Sequence, residues 1–223
     1  MKKMMFADVD GTFMDFNTYS MELSMEGVDL LRRNNIPLVL VSSKTYAEMT
    51  AIMDQAGLYN HFAFENGCGI AFPDGNGGYT TEISGPGTQV LKKKLILIEE
   101  ITEKKFTSIL DLADEEISAY SGLDMRRAAL SKKRIATLPF ISGDCELFSD
   151  SDIDELNIRL AVQGLRLHEV AGSIICSLHG QVNLTLCAES TRFTAPKVVL
   201  KQVRAETATM TLTCLTMLTS VIL

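Results

Sequence analysis

Apolar and polar positions switch between two periods along the first third of the chain. The run "KMMFADVD", residues 3–10, is apolar up to an acidic end and reads as a short buried strand. In "SMEGVDLLRRNNI", residues 24–36, Met25, Val28 and Leu31 recur at helical spacing, and Asn34-Asn35 suits a helix end. "PLVLVSSKT", residues 37–45, is again an apolar run, following Pro37 and ending in hydroxyls. "TYAEMTAIMDQAGL", residues 45–58, reads as a helix closed by Gly57, and "HFAFENGCGIAF", residues 61–72, as another strand and turn. The β-α-β-α-β order predicts an α/β fold with a parallel sheet and helices on its faces. In such sheets ligand chemistry collects at the C-terminal strand ends. Asp8 and Asp10, Ser42 and Ser43, and Glu65 and Asn66 all fall at such ends.

After the Gly-rich connection "PDGNGGYTTEISGPG" the pattern changes. Charged helical stretches ("LKKKLILIEEITEKKFTSILDLA", "SDIDELNIRLAVQG") mix with short strand candidates ("ATLPFISG", "LRLHEV", "GSIICSLHG"). The expected organisation is a core part over residues 1–84, an inserted α+β unit over 85–178, and a return to the core over 179–223.

Composition narrows the function classes. With 46% hydrophobic and 22% charged residues in 223, the chain has the makings of a packed core and not of a disordered segment. A net charge of -7 provides no basic face for nucleic acid or an anionic membrane, so neither is an expected partner. The five cysteines are scattered and form no CxxC pair, which suggests neither a disulfide framework nor a zinc site and fits a reducing cytoplasm. "MKKMMFADVD" reaches acid after too short an apolar run for a signal peptide, and no stretch has the roughly 18 apolar residues of a membrane span.

The candidate chemistry begins with Asp8 and Asp10. A carboxylate at a parallel strand end can attack a phosphoryl group while a second carries the proton of the leaving group. Two adjacent carboxylates repel, so such a pair calls for a hard cation such as Mg²⁺ with oxygen ligands. Gly11-Thr12 supplies the turn that brings the pair together. A turn bearing solvated acids is the plainer reading of an isolated DxD. Ser42 and Ser43 read equally well as the N-cap of the following helix, Lys44 as a solvated first-turn residue, and Glu65-Asn66 as a turn, as does "SGD" at 142–144. His61, His168 and His179 form no cluster and are expected to be structural.

"DVDGTFMD" resembles the first motif of the haloacid dehalogenase superfamily of phosphohydrolases, and "LVLVSSKT" resembles its second. "FENGCGI" is similar to the third-strand segment of the subclass with a large α/β cap, the Cof-type phosphatases. "SSKT", together with "SGLDMRRAALSKKRIATLPFISGD", resembles the mannosyl-3-phosphoglycerate phosphatase branch. The resemblance covers about residues 5–181. It implies a Rossmannoid parallel core with an inserted α+β cap and Mg²⁺-dependent hydrolysis of a sugar phosphate. It makes Asp8 the nucleophile and Asp10 the general acid and base. The Asp8 carboxylate and the Asp10 backbone carbonyl become Mg²⁺ ligands. Ser42, the Ser43 backbone N–H and Lys44 hold the phosphoryl group, and Glu65 and Asn66 line the sugar-phosphate side.

The resemblance also implies a lysine and an acidic "GDxxND" motif, and neither stands where expected. Residues 183–223 hold only Glu189 and Glu206 as acids. Read out of frame, with the last base of one codon joined to the first two of the next, Met210-Thr211 must encode aspartate. The codons from Glu206 to Met210 permit "GDSxN" before that aspartate and those from Thr211 to Ser220 permit "IDMLDNVD" after it, giving "GDSxNDIDMLDNVD" in all, and those around Val182-Asn183 permit "KSDAMR". One lost nucleotide near Val182 accounts for both absences; a divergent C-terminus is the alternative. The expected protein is therefore a phosphatase for mannosyl-3-phosphoglycerate or another sugar phosphate, or a non-catalytic remnant of one.

Overall fold

The structure, a computed structural model, describes residues 4–142, 149–169 and 175–180. Two compact units emerge. Among the described residues, one takes the chain up to Lys44 and Met49–Glu82; the other takes Thr45–Glu48 and the described residues between 83 and 180.

The first unit is built on a five-stranded sheet. Strand β1 (Met5–Asp8), helix α1 (Glu22–Arg33), strand β2 (Leu38–Val41), helix α2 (Tyr46–Gln55) and strand β3 (Phe62–Phe64) follow one another as the periodicity predicts. β1 pairs parallel with β2, with Asp8 opposite Val41, and β2 pairs parallel with β3. Parallel strands are covered on both faces, and β2 accordingly carries the continuous run Leu38, Val39, Leu40, each at most 5% exposed. Among the described residues β1 is the outer strand of its sheet, and its residues are half-buried.

Helix α1 stops where Asn34 and Asn35 were expected to stop it, with Asn35 in the left-handed region at φ 53°. α2 closes at Gly57, also left-handed at φ 61°, where the Leu58 N–H reaches the Met53 carbonyl across 2.9 Å. After a short 3₁₀ turn, strand β4 (Gly69–Pro73) folds back antiparallel on β3, placing Gly69 opposite Phe64. A Cβ on Gly69 would lie 2.0 Å from the Phe64 ring, so the close approach requires glycine there. Strand β5 (Tyr79–Ile83) completes the sheet inside the stretch read from sequence as a Gly-rich connection. Its alternating "YTTEI" is largely exposed, so it lacks the apolar run that marks a buried strand.

The second unit is α+β. Helix α3 (Thr88–Thr102), strand β6 (Phe106–Ser108), helices α4 (Asp114–Ser121) and α5 (Met125–Ser131), strand β7 (Thr137–Ser142), helix α6 (Asp150–Ala161) and strands β8 (Leu165–Glu169) and β9 (Ile175–Gly180) give an antiparallel sheet of order β6-β7-β9-β8. Leu91, Leu95 and Ile98 of α3, at i, i+4 and i+7, join Leu156 and Leu160 of α6 over Leu138, Phe140, Leu165 and Leu167 of the sheet. The charged helical reading of residues 91–113 divides here. α3 ends at Glu103, left-handed at φ 56° without a glycine to announce it, and Phe106–Ser108 turns into strand. Among the described residues no helix is long and apolar enough to cross a membrane.

Candidate active site

The loop after β1 folds tightly on itself. The Phe13 N–H donates to the Asp8 carbonyl (3.1 Å), the Met14 N–H to the Val9 carbonyl (2.8 Å) and the Gly11 N–H to the Met14 carbonyl (2.8 Å). Gly11 stands at φ 72°, a conformation that suits a residue without Cβ, and so lets the chain turn directly after Asp10. Val9, Phe13 and Met14 are buried beneath this turn. Their packing fixes the backbone that carries the two aspartates. Burial pushes the Asp8 carboxyl up to about 6 from its ordinary 3.8; the backbone hydrogen bond at Val9 opposes the rise, the charge of Asp10 adds to it, and Lys44 opposes it.

The loop after β2 supplies Ser42, Ser43 and Lys44. Ser42 is 2% exposed; its N–H donates to the Ala63 carbonyl (3.1 Å) and its Oγ accepts the Lys44 N–H (3.2 Å). The Lys44 ammonium lies 2.9 Å from Asp10 Oδ1, with 13% of the Lys44 side chain and 23% of the Asp10 side chain exposed. Lys44 is thus not the solvated first-turn residue of the plainer reading. Nor are Ser42 and Ser43 the cap of α2. That role falls to Thr45: its N–H donates to Glu48 Oε2 (2.8 Å), and the Glu48 N–H donates to Thr45 Oγ1 (3.1 Å). The pattern Thr45-x-x-Glu48 is a capping-box signature, so this missed pair had a signal in the sequence.

The loop after β3 is held in an uncommon backbone conformation. Glu65, Asn66 and Gly67 stand in succession at φ 49°, 58° and 83°. Glu65 is fully buried, and Asn66 is half-buried. The Glu65 N–H donates to the Lys44 carbonyl (2.8 Å) and the Asn66 N–H to the Ser42 carbonyl (3.0 Å), so this turn clamps the backbone of the preceding loop. Glu65 therefore bears on the site through its backbone, a part that sequence reading did not foresee.

Asp8, Asp10, Ser42, Ser43, Lys44, Glu65 and Asn66 come together at the C-terminal ends of three adjacent strands. His61 stays apart, its ring edge-on to Phe72 with centroids 5.5 Å apart, and burial lowers its pKa. The side chains of His168 and His179, residues 143 and 144 of "SGD", and residues 183–223 with their shifted reading lie outside the described residues. Among the described residues no group of three or more His, Cys, Asp or Glu could hold a metal ion. Asp8 and the Asp10 backbone still offer oxygen donors of the hard kind that suits Mg²⁺, which binds through one or two carboxylates with substrate phosphate and water filling the other positions. The donor chemistry fits, and the set is short.

Known proteins similar to this chain fall in one family. Residues 5–133 match the family of haloacid dehalogenase-like hydrolases. A glucosyl-3-phosphoglycerate/mannosyl-3-phosphoglycerate phosphatase of Methanococcoides burtonii is 34% identical over 60% of this chain and 53% of its own length. A protein of the same name from Persephonella marina is 30% identical over 73% of this chain and 61% of its own. The chain thus spans between half and two thirds of the relatives that it matches. In fold it is similar to a phosphatase of the haloalkanoate superfamily from Bacteroides thetaiotaomicron, with a TM-score of 0.57 and 16% identity over 86% of this chain and 73% of the other.

Proposed function

Because the chain belongs to the haloacid dehalogenase-like hydrolases, we propose that it is built to hydrolyse the phosphomonoester of a sugar phosphate, mannosyl-3-phosphoglycerate first, in a Mg²⁺-dependent reaction. The observation that carries this reading is the meeting of Asp8 and Asp10 with Ser42 and Lys44 at the ends of β1 and β2. The substrate class is supported by the names of the two relatives.

In the proposed sequence an Asp8 carboxylate oxygen attacks phosphorus. The new P–O bond forms as the bond to the sugar oxygen breaks, and Asp10, having taken up a proton from solvent, donates it to that leaving oxygen. Asp10 then takes a proton from water, whose oxygen attacks the aspartyl-phosphate, restoring Asp8 and releasing inorganic phosphate. Ser42, the Ser43 N–H and Lys44 hold the phosphoryl oxygens. Asp8 and the Asp10 backbone carbonyl would hold Mg²⁺, which neutralises charge between the carboxylate and the incoming phosphate. The unit around residues 85–178 would be the part of the chain that selects the sugar.

A second reading, a non-catalytic phosphate-binding remnant, draws support from the short set of metal-binding acids among the described residues. Phosphate release from mannosyl- and glucosyl-3-phosphoglycerate and from a panel of other sugar phosphates, assayed with Mg²⁺, separates the readings. The phosphatase reading expects release above that of D8N. Wild type indistinguishable from D8N on every substrate overturns it.

A further inference from the structure

Lys44 sits between two demands. Its backbone is fixed at both ends: the N–H donates to Ser42 Oγ and the carbonyl accepts from the Glu65 N–H. Its ammonium, at the end of a flexible four-carbon stem, pairs with Asp10 Oδ1 at 2.9 Å, and it is also the cation whose charge is felt at Asp8. The root is therefore rigid and the charged tip adjustable. Both side chains of the pair are largely withdrawn from solvent, which makes it stronger than a surface ion pair.

The start of α2 would ordinarily favour an anion, but Thr45 and Glu48 already engage donors there, and Glu48 adds a buried carboxylate. A phosphate monoester carries up to about two negative charges, against one on Asp10. It therefore competes well for the same ammonium.

We propose that Lys44 is an exchangeable cation: it pairs with Asp10 before substrate binds and passes to the phosphoryl group when substrate arrives, so that Asp10 and phosphate share one positive charge by turns. The proposal rests on the phosphatase reading above and deepens it. No bond is made or broken in this step; one ion pair replaces another. Its consequence is a competition between Asp10 and phosphate for one charge, and such a competition is measurable.

The test is a double-mutant cycle on the full chain, reading the affinity for inorganic phosphate by calorimetric titration in one buffer. K44M is expected to weaken phosphate binding about tenfold, the size of a coupling of roughly 1.4 kcal/mol. D10N is expected to tighten it, because the competitor for Lys44 is gone. In the K44M background most of that gain should disappear. K44Q, which keeps the side chain polar, repeats the cycle in case K44M does not fold, and circular dichroism checks each variant. Equal gains from D10N with and without Lys44 overturn the exchange, since they leave only the removal of a repelling charge. The phosphatase reading fails separately, when coupling in phosphate binding is present and no sugar phosphate is hydrolysed. Absence of phosphate binding in the wild type overturns both.

Discussion

The backbone N–H of Asn66 donates to the carbonyl of Ser42 across 3.0 Å, joining the loop after β3 to the loop after β2. Asn66 makes that bond from φ 58°, between Glu65 and Gly67, which are also left-handed. Asparagine tolerates this region; a β-branched side chain does not. N66V should lose about 1–3 kcal/mol of stability and loosen the Ser42–Lys44 segment, whereas N66G should stay within about 1 kcal/mol of wild type. Urea unfolding of both variants checks this, and a valine as harmless as glycine would show that the turn carries no strain.

A second expectation follows from Asp8, whose carboxyl is held at about 6 against an ordinary 3.8, chiefly by burial. A carboxyl raised in the folded state keeps its proton there after the unfolded chain has lost it. Stability therefore falls as pH rises through that window and is not recovered above it. The shift corresponds to at most about 3 kcal/mol. D8N, which cannot ionise, should gain on the wild type between about pH 4 and pH 7 when unfolding is followed in metal-free buffer. A difference between the two proteins that does not vary with pH would show that Asp8 is not desolvated.

What the sequence revealed and what it concealed differ in kind. β1, β2 and β3 were legible because strands buried in a parallel sheet are written as apolar runs, and their ends pointed to Asp8, Ser42 and Glu65. β5 was concealed because an exposed strand of the "YTTEI" type carries no such run. β6 was concealed inside a charged stretch whose helix ends at Glu103 without glycine. The Lys44–Asp10 pair could not be read at all. It depends on the parallel register that sets Asp8 beside Val41, a relation between residues over thirty positions apart.

The Thr45–Glu48 box yields a third prediction. Glu48 is 7% exposed and accepts from both the N–H and the Oγ1 of Thr45. E48A would leave the Thr45 N–H without its acceptor at a buried helix start, while the Thr45 hydroxyl keeps the Leu130 carbonyl (3.1 Å), at a cost of about 1–3 kcal/mol. E48Q keeps an acceptor oxygen and should recover most of that loss. Thermal melts of the two variants decide the point: equal losses would mean that the charge matters and the cap does not.

The last prediction concerns residues 183–223 and decides whether the chain turns over substrate. Hard cations gain affinity from several oxygen ligands, and among the described residues the acids near Asp8 do not make a set of three. The shifted reading of the same stretch permits "KSDAMR" and "GDSxNDIDMLDNVD", which together supply a lysine and further aspartates. A version carrying those residues should bind Mg²⁺ more tightly, because more carboxylates converge on the ion. It should also attack phosphate more readily, because added positive charge offsets the repulsion between Asp8 and the dianion. Removing one such electrostatic group commonly costs 10²–10³ in rate, so restoring several should raise phosphate release by at least about a hundredfold. Both versions would be expressed and assayed side by side with Mg²⁺ on mannosyl-3-phosphoglycerate, with Mn²⁺ binding followed by electron paramagnetic resonance as a readout independent of turnover. Equal rates and equal metal affinity would exclude the lost nucleotide as the cause of the short ligand set, and would require residues 183–223 as they stand to complete the site.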